Sequence, residues 1–256
     1  MKKTTYFVEG IQGSGKSTMV GKLAKENPQL HVYQEGDYSP VELAWCTYND
    51  ESTYTEILAK YHEIADEIRE KTVKEVDKYI IRYTQILTDI EGFHRDLEQY
   101  EIYNGNKGKE EFEQIVLKRF QNWDGEGSIF ECSIFQNIIE NQILFFEMED
   151  DEIIEFYKKV KSVLEGKDYK IVYLEVDDIE KAETVIRKER SDEQGKELWF
   201  PLMTRYLEES PYGKHYQLKG MDGLVSHLQH RVKLERRILN EVFAGQFVVH
   251  TRNIDR

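Results

Sequence analysis

Apolar positions along this chain fall into two rhythms, one of short β-rich runs and one of helical three-and-four spacing, and their alternation predicts the fold. Residues 4–9 form the first β-rich run. Met19, Val20, Leu23 and Ala24 then mark the buried side of a helix that ends before Pro28, because a proline restricts the residue that precedes it. Residues 30–35 read as a second strand, followed by the loop at 36–40. From 50 to 123 the rhythm is helical. Tyr54, Ile57, Leu58, Tyr61, Ile64, Ala65 and Ile68 recur at three and four, and Val76, Tyr79, Ile80, Tyr83, Ile86, Leu87, Ile90, Phe93 and Leu97 continue the pattern. A breaker at 104–108 precedes a third helix, with Phe112, Ile115, Val116 and Phe120 inward and its end near Trp123.

Beyond this stretch the strands return. Residues 128–132 are a brief strand, followed by helices carrying Phe135, Ile138, Ile139, Ile143 and Phe146, and then Ile153 to Leu164, stopping at Gly166. Residues 169–176 are nearly continuous in large β-formers, as expected of a strand buried on both faces. Asp177 and Asp178 cap a helix that turns Ala182, Val185 and Ile186 inward. One long helix spans Leu224 to Val242, and residues 246–250 supply a fifth strand. Five short strands separated by helices predict an α/β fold with a mostly parallel, doubly wound sheet. The expected organisation is a single domain over 1–256, with a strand-free helical insert at 50–123 between strands two and three. The insert's apolar faces suit core packing, the commoner use of such faces, or a coiled-coil or dimer seam.

Composition narrows the classes of partner. A formal charge of −14 over 256 residues repels phosphate backbones and anionic membranes, so neither nucleic acid nor membrane is an expected partner. No apolar run approaches membrane-spanning length and no secretory signal is visible, which predicts a cytoplasmic location. The two cysteines, Cys46 and Cys132, lack metal-ligand spacing and are expected as reduced thiols. The histidines at 31, 94, 215, 227, 230 and 250 form no ligand or triad spacing.

Chemistry enters at Gly10-Ile11-Gln12-Gly13-Ser14-Gly15-Lys16-Ser17-Thr18, which follows the first strand and opens the first helix. This is G-x-x-x-x-G-K-[ST], the phosphate-binding loop, in its required strand-then-helix setting, and it specifies a P-loop NTPase three-layer fold. Glycines 10, 13 and 15 let backbone N–H groups turn inward as an anion nest. Lys16 is placed to reach the β- and γ-phosphates, and the Ser17 hydroxyl to ligate Mg²⁺. ATP and Mg²⁺ are therefore the expected cofactors. Glu35 and Asp37 follow strand two, at the strand end where open α/β sheets bind ligands, and are the first candidates for chemistry beyond the loop.

Glu9 through Thr18, Glu35 ending strand two, and the strand at 171–176 with an arginine-rich helix end after it resemble the P-loop small-molecule kinases, particularly the deoxynucleoside and thymidylate kinase group. The resemblance covers about half the chain by pattern. It implies transfer of the γ-phosphate of Mg·ATP to a small-molecule acceptor. It also implies that an acidic residue after strand two acts as general base or helps hold Mg²⁺, a place that Glu35 or Asp37 fits. A lid with arginines is implied as well, matched by Arg187 and Arg190.

The chain departs from that group at the end of strand three, where Glu131-Cys132-Ser133 stands instead of an Asp-Arg pair. This departure weakens the nucleoside assignment and leaves the kinase assignment intact. Glu131 is left to hold magnesium through water or to bind a polar acceptor, with Gln136 one turn on as a further hydrogen-bonding residue. Tyr38 and Trp45 are candidates for the acceptor pocket, although aromatics at such spacing are more often core. The competing function is a nucleotide-dependent switch with slow hydrolysis. Its GTPase form lacks support because no Asn-Lys-x-Asp string occurs.

Overall fold

The computed structural model describes residues 4–253. In chain order its elements begin with β1 (Thr5–Gly10), α1 (Lys16–Glu26) and β2 (His31–Tyr33). Next come α2 (Glu51–Lys60), α3 (Ala65–Glu70), β3 (Thr72–Glu75), β4 (Lys78–Ile81), α4 (Phe93–Glu98) and α5 (Lys109–Asn122). They are followed by β5 (Ser128–Glu131), α6 (Gln136–Leu144), α7 (Asp150–Val163), β6 (Tyr169–Val176) and α8 (Ile179–Glu189). The chain continues through α9 (Trp199–Glu209), α10 (Pro211–His215), α11 (Gly220–Glu241) and β7 (Phe247–Arg252).

The described residues divide into two compact units, one of residues 4–32 and 124–253, the other of residues 33–123. In the first, five strands form a sheet in the order β2-β5-β1-β6-β7, with β1 parallel to both β5 and β6, and β6 parallel to β7. This is the α/β parallel sheet expected from the strand pattern. Period-two alternation separates its faces. Tyr6 and Val8 of β1, with Val172 and Leu174 of β6, pack against Val20 and Leu23 of α1. Phe7 points to the opposite face, where it stacks on Phe130 of β5 and meets the edge of Tyr169. On that face Phe135 and Tyr157 pack around Phe243, just past α11. After β5 the chain crosses from one side of β1 to the other to make β6, so the carboxyl ends of β1 and β5 lie at the topological switch point.

The second unit corrects the expectation of a strand-free helical insert. Residues 72–81 form an antiparallel hairpin, with Val73 opposite Ile80 and Lys74 opposite Tyr79. Its turn falls at Val76, which has φ 47° and is 95% exposed. Val76, Tyr79, Ile80 and Tyr83 happen to recur at helical spacing, but β-branched and aromatic residues on both sides of a two-residue turn pair as strands. The unit also begins near 33, not 50. Thr47 and Asn49 donate backbone N–H to Ile81 and Tyr79, and Tyr48 donates to Tyr100, so the segment before α2 is stitched to the hairpin. Ile57, Tyr61, Ile68, Ile81, Tyr83, Ile86, Phe93 and Leu97 form a separate hydrophobic core here, which is the core-packing use of these faces. Both cysteines are buried and form no disulfide. Among the described residues, no helix is long and apolar enough to cross a membrane.

Candidate functional site

The first unit concentrates its polar chemistry where β1 gives way to α1. Gly10 has φ 142°, Gly13 φ 73° and Gly15 φ 95°, all in the region that side chains resist. At Gly10 space as well as dihedral demands glycine, and at Gly13 an added Cβ would have to displace a side chain. A Cβ on Gly10 would lie 2.3 Å from the Leu174 carbonyl oxygen, and one on Gly13 would lie 2.5 Å from Ile186 Cδ1 of α8. Gly15 serves as the left-handed N-cap of α1, so the glycine loop leads directly into the positive end of the helix dipole.

Lys16, buried at the first position of α1, extends back over the loop and donates from Nζ to the carbonyls of Gly10 at 3.0 Å and Ile11 at 2.8 Å. Two of its three N–H bonds are thus directed, and the ammonium is fixed above the glycine turn. Arg252 of β7 donates to the Gly13 carbonyl at 2.7 Å and closes the loop from another side. Two buried oxygens in the loop, Ser14 Oγ and Gln12 Oε1, have no hydrogen-bond partner. Buried polar atoms are rarely left so, and unpaired ones beside an anion nest suit a polar ligand.

The neighbouring strand completes the site. Ser17 Oγ donates to Glu131 Oε1 at 2.6 Å, bringing the hydroxyl next to the P-loop lysine onto a carboxylate at the very end of β5. Cys132, the next residue, has φ 59° and is held by its N–H to the Val8 carbonyl at 3.1 Å. A non-glycine residue in that region marks a strained turn, of the kind that accumulates at functional sites. The Ser17–Glu131 bond puts this carboxylate beside the first turn of α1. One hydroxyl and one carboxylate suit Mg²⁺, which keeps several waters and takes few protein ligands. No group of three or more His, Cys, Asp or Glu side chains that could hold a metal ion occurs among the described residues.

Beneath the loop lies a layer of buried charge that the sequence pattern does not reveal. Glu9, fully buried at the end of β1, accepts from the backbone N–H of Ile134 at 2.8 Å and of Gln136 at 3.3 Å, which ties the start of α6 to the end of β1. Burial raises the Glu9 carboxyl to about 7. Glu183 of α8 is also fully buried, neither of its oxygens has a hydrogen-bond partner, and burial raises it to about 7. Glu140 behaves oppositely: burial pushes it up, but the charges of His227 and Arg231 outweigh that and hold it at about 2.

These shifts have a sign. For Glu9 and Glu183 the folded value lies above the ordinary 4.5, so protonation favours the fold. Their contribution is complete below about pH 4.5 and is lost as the pH rises through about 7. At full burial the size is up to ~3 kcal/mol for each group. The melting temperature is expected to fall between pH 5.5 and 8, and Glu183→Gln to reduce that fall. Equal slopes for the two proteins would exclude Glu183 as a contributor.

The remaining candidates are distributed as follows. Arg187 pairs with Glu197 Oε1 at 2.6 Å and stacks over Phe200 at 4.0 Å, while Arg190 lies over Trp199 at 5.1 Å. The lid-like segment after α8 is therefore folded on itself through its two arginines, and α9, a helix with no counterpart among the expected elements, supplies both aromatic partners. Glu35, Asp37, Tyr38 and Trp45 belong to the second unit. There Glu35 Oε1 accepts from the Trp45 indole at 3.4 Å, and Asp37 accepts from Gln34 N at 3.1 Å and Gln85 Nε2 at 3.1 Å. Trp45 is 46% exposed with φ 63°. Tyr38 donates to Glu75, and burial beside that carboxylate raises its hydroxyl to about 12. Arg119 lies over the half-buried Tyr38 ring at 6.0 Å.

No protein-family model matches the chain, and no curated protein matches it. Among solved structures it is similar to a gluconokinase from Sinorhizobium meliloti 1021, at 15% identity and a TM-score of 0.29, over 94% of this chain and 97% of that one. It is also similar to a presumed kinase from Chloroflexus aurantiacus j-10-fl, at 10% identity and a TM-score of 0.27, over 91% of this chain and 98% of that one. Both likenesses are weak, and the functional reading rests on the geometry of the glycine loop, Lys16, Ser17 and Glu131.

Proposed function

We propose that this chain is an ATP-dependent phosphotransferase that passes the γ-phosphoryl group of Mg·ATP to a hydroxyl or phosphate of a small molecule. The observation that carries the reading is the 2.6 Å bond between Ser17 Oγ and Glu131 Oε1, set beside a lysine fixed over a glycine nest. Phosphoryl transfer asks for positioning and charge neutralisation more than for covalent chemistry by the protein. The amides of residues 10–15 and the start of α1 would bind phosphate oxygens, and the third N–H bond of Lys16 would meet the bridging charge. Ser17 would ligate Mg²⁺ directly, and Glu131 would accept a hydrogen bond from a water of the ion's shell. The ion, when bound, neutralises charge on the β- and γ-oxygens.

In the reaction the bond from the γ-phosphorus to the bridging oxygen breaks, a bond to the acceptor oxygen forms, and an acceptor hydroxyl loses its proton to a carboxylate. Glu35 or Asp37 is proposed as that carboxylate, on the strength of its place just past the end of β2. Arg187 and Arg190 are proposed to stabilise charge on the moving group, once the Glu197 and aromatic contacts that now hold them are exchanged for phosphate. Glu35→Gln is expected to lower turnover on the order of a hundredfold with little change in ATP affinity. A comparable loss in Asp37→Asn, with Glu35→Gln active, would assign the role to Asp37.

A second reading is a nucleotide-dependent switch that hydrolyses ATP slowly, favoured by the compact second unit with a hydrophobic core of its own. The deciding experiment follows labelled γ-phosphate from Mg·ATP in the presence of pooled nucleosides, nucleoside monophosphates, sugars and amino-sugar alcohols. A labelled product that depends on one pool supports the phosphotransferase and names its acceptor class. Slow release of inorganic phosphate under every pool sinks it in favour of the switch.

A further inference from the structure

The largest fully buried side chain in the first unit sits outside the phosphate-binding motif. Arg231, midway along α11, is fully buried and has no solvent to share its charge. Its guanidinium donates to Glu140 of α6 through one terminal nitrogen, and its Nε lies 2.9 Å from Glu235 Oε1. Through the other terminal nitrogen it donates to the carbonyl of Gly10 at 3.3 Å. The two carboxylates are themselves anchored: His227 Nε2 lies 2.6 Å from Glu140 Oε2, and the Tyr173 hydroxyl of β6 donates to Glu235 at 2.5 Å. Burial alone would lower the Arg231 pKa, but Glu235 and Glu140 outweigh it, so the group stays charged.

Replacing a buried ion network by apolar side chains of similar volume is often neutral or stabilising, so the network is a weak device for stability alone. Its reach is what distinguishes it. Gly10 is the hinge residue of the loop, with φ 142°, and its carbonyl oxygen is also an acceptor for Lys16 Nζ at 3.0 Å. One oxygen thus receives both cations. The peptide plane that this oxygen belongs to carries the N–H of Ile11, so its orientation sets the entry to the nest. Lysine could not imitate this arrangement, because only the planar fork spans two carboxylates and a carbonyl in fixed directions.

We infer that Arg231, gripped by Glu140 and Glu235, is a positioning residue that holds the Gly10 peptide in its phosphate-binding orientation and so couples α11 to the loop. The inference rests on the nucleotide-binding reading of that loop. Arg231→Lys is expected to bind both Mg·ATP and magnesium tripolyphosphate about tenfold more weakly than the wild type, and Glu140→Gln about threefold more weakly. Use of tripolyphosphate isolates the loop from the rest of the nucleotide. Calorimetric titration of each folded variant, with melting curves of the unliganded protein beside it, makes the comparison. A variant with a lowered melting temperature but wild-type affinity for both ligands would show a purely structural role and overturn the inference.

Wild-type protein that binds neither ligand would instead remove the nucleotide reading itself. Wild-type binding with both variants equally tight removes only the positioning role. Amide exchange on the wild type keeps the question open to disproof if a variant does not fold. On adding Mg·ATP, slowed exchange is expected in peptides from 10–15 and also from 228–234, and protection confined to 10–15 would overturn the coupling.

Discussion

Lys16→Ala is expected to abolish phosphoryl transfer, with turnover falling on the order of a thousandfold or more and ATP binding weakened as well. The size follows from where the ammonium sits. Lys16 is buried, its N–H bonds to Gly10 and Ile11 hold it at the loop, and the low dielectric there makes its charge count for more than it would in water. Alanine removes the charge and leaves the Gly10 and Ile11 carbonyls without that donor. Turnover within tenfold of the wild type would remove the core of the proposed function. The protein should remain folded, because the sheet and the α1 face that packs against it are untouched by the change.

Gly10→Ala is expected to have the largest effect on stability, costing roughly 3 kcal/mol or more. Gly10 pairs with Leu174 in the β1–β6 ladder, and the added Cβ would stand 2.3 Å from the Leu174 carbonyl oxygen and 2.8 Å from Ser14 Oγ. Neither φ 142° nor the partner strand's backbone can yield without moving the loop. A fall in melting temperature of about 6–12 °C is expected, together with loss of nucleotide binding. Gly21→Ala is the internal control. It lies in α1, where an added Cβ would have nothing within 4 Å, so the substitution should stabilise by up to ~1 kcal/mol through helix propensity alone. If both substitutions were equally mild, the close-approach argument for Gly10 would fail.

The elements most legible in the residues are those whose pattern is local. Residues 169–176 stand as a strand over their full expected length, because a run of large β-formers has one economical use. The loop at 10–18 is legible because each of its residue types answers a requirement of phosphate binding. The stretch at 72–81 misleads for the same kind of reason: three-and-four spacing over a short window does not distinguish a helix from a hairpin with an exposed turn residue, and the pairing partners decide it. The loop at 36–40 reads as following a strand of the main sheet, yet the backbone N–H groups of Thr47, Tyr48 and Asn49 a few residues on lead to β4 and Tyr100, which no local signal announces.

Within the site the division is similar. Lys16 and Ser17 are identifiable from spacing, whereas the meeting of Glu131 with Ser17 is a hydrogen bond spanning 114 residues that no spacing announces. The buried network of Glu9, Glu140, Arg231 and Glu235 is illegible, since charged residues on amphipathic helices ordinarily face water. A charge in the long α11 that is out of phase with the polar face, at Arg231 and Glu235, is the available signal.

By itself the sequence determined the strands and helices of the parallel sheet and the glycine loop after the first strand, because these depend on residue type and spacing along a few turns of chain. Only the tertiary structure decided that residues 33–123 make a compact unit with a hairpin inside it, that Glu131 meets Ser17, and that α11 reaches the loop through Arg231. Those are contacts between segments far apart in the chain. Their energies depend on burial and partner geometry, quantities that exist only once the segments have packed.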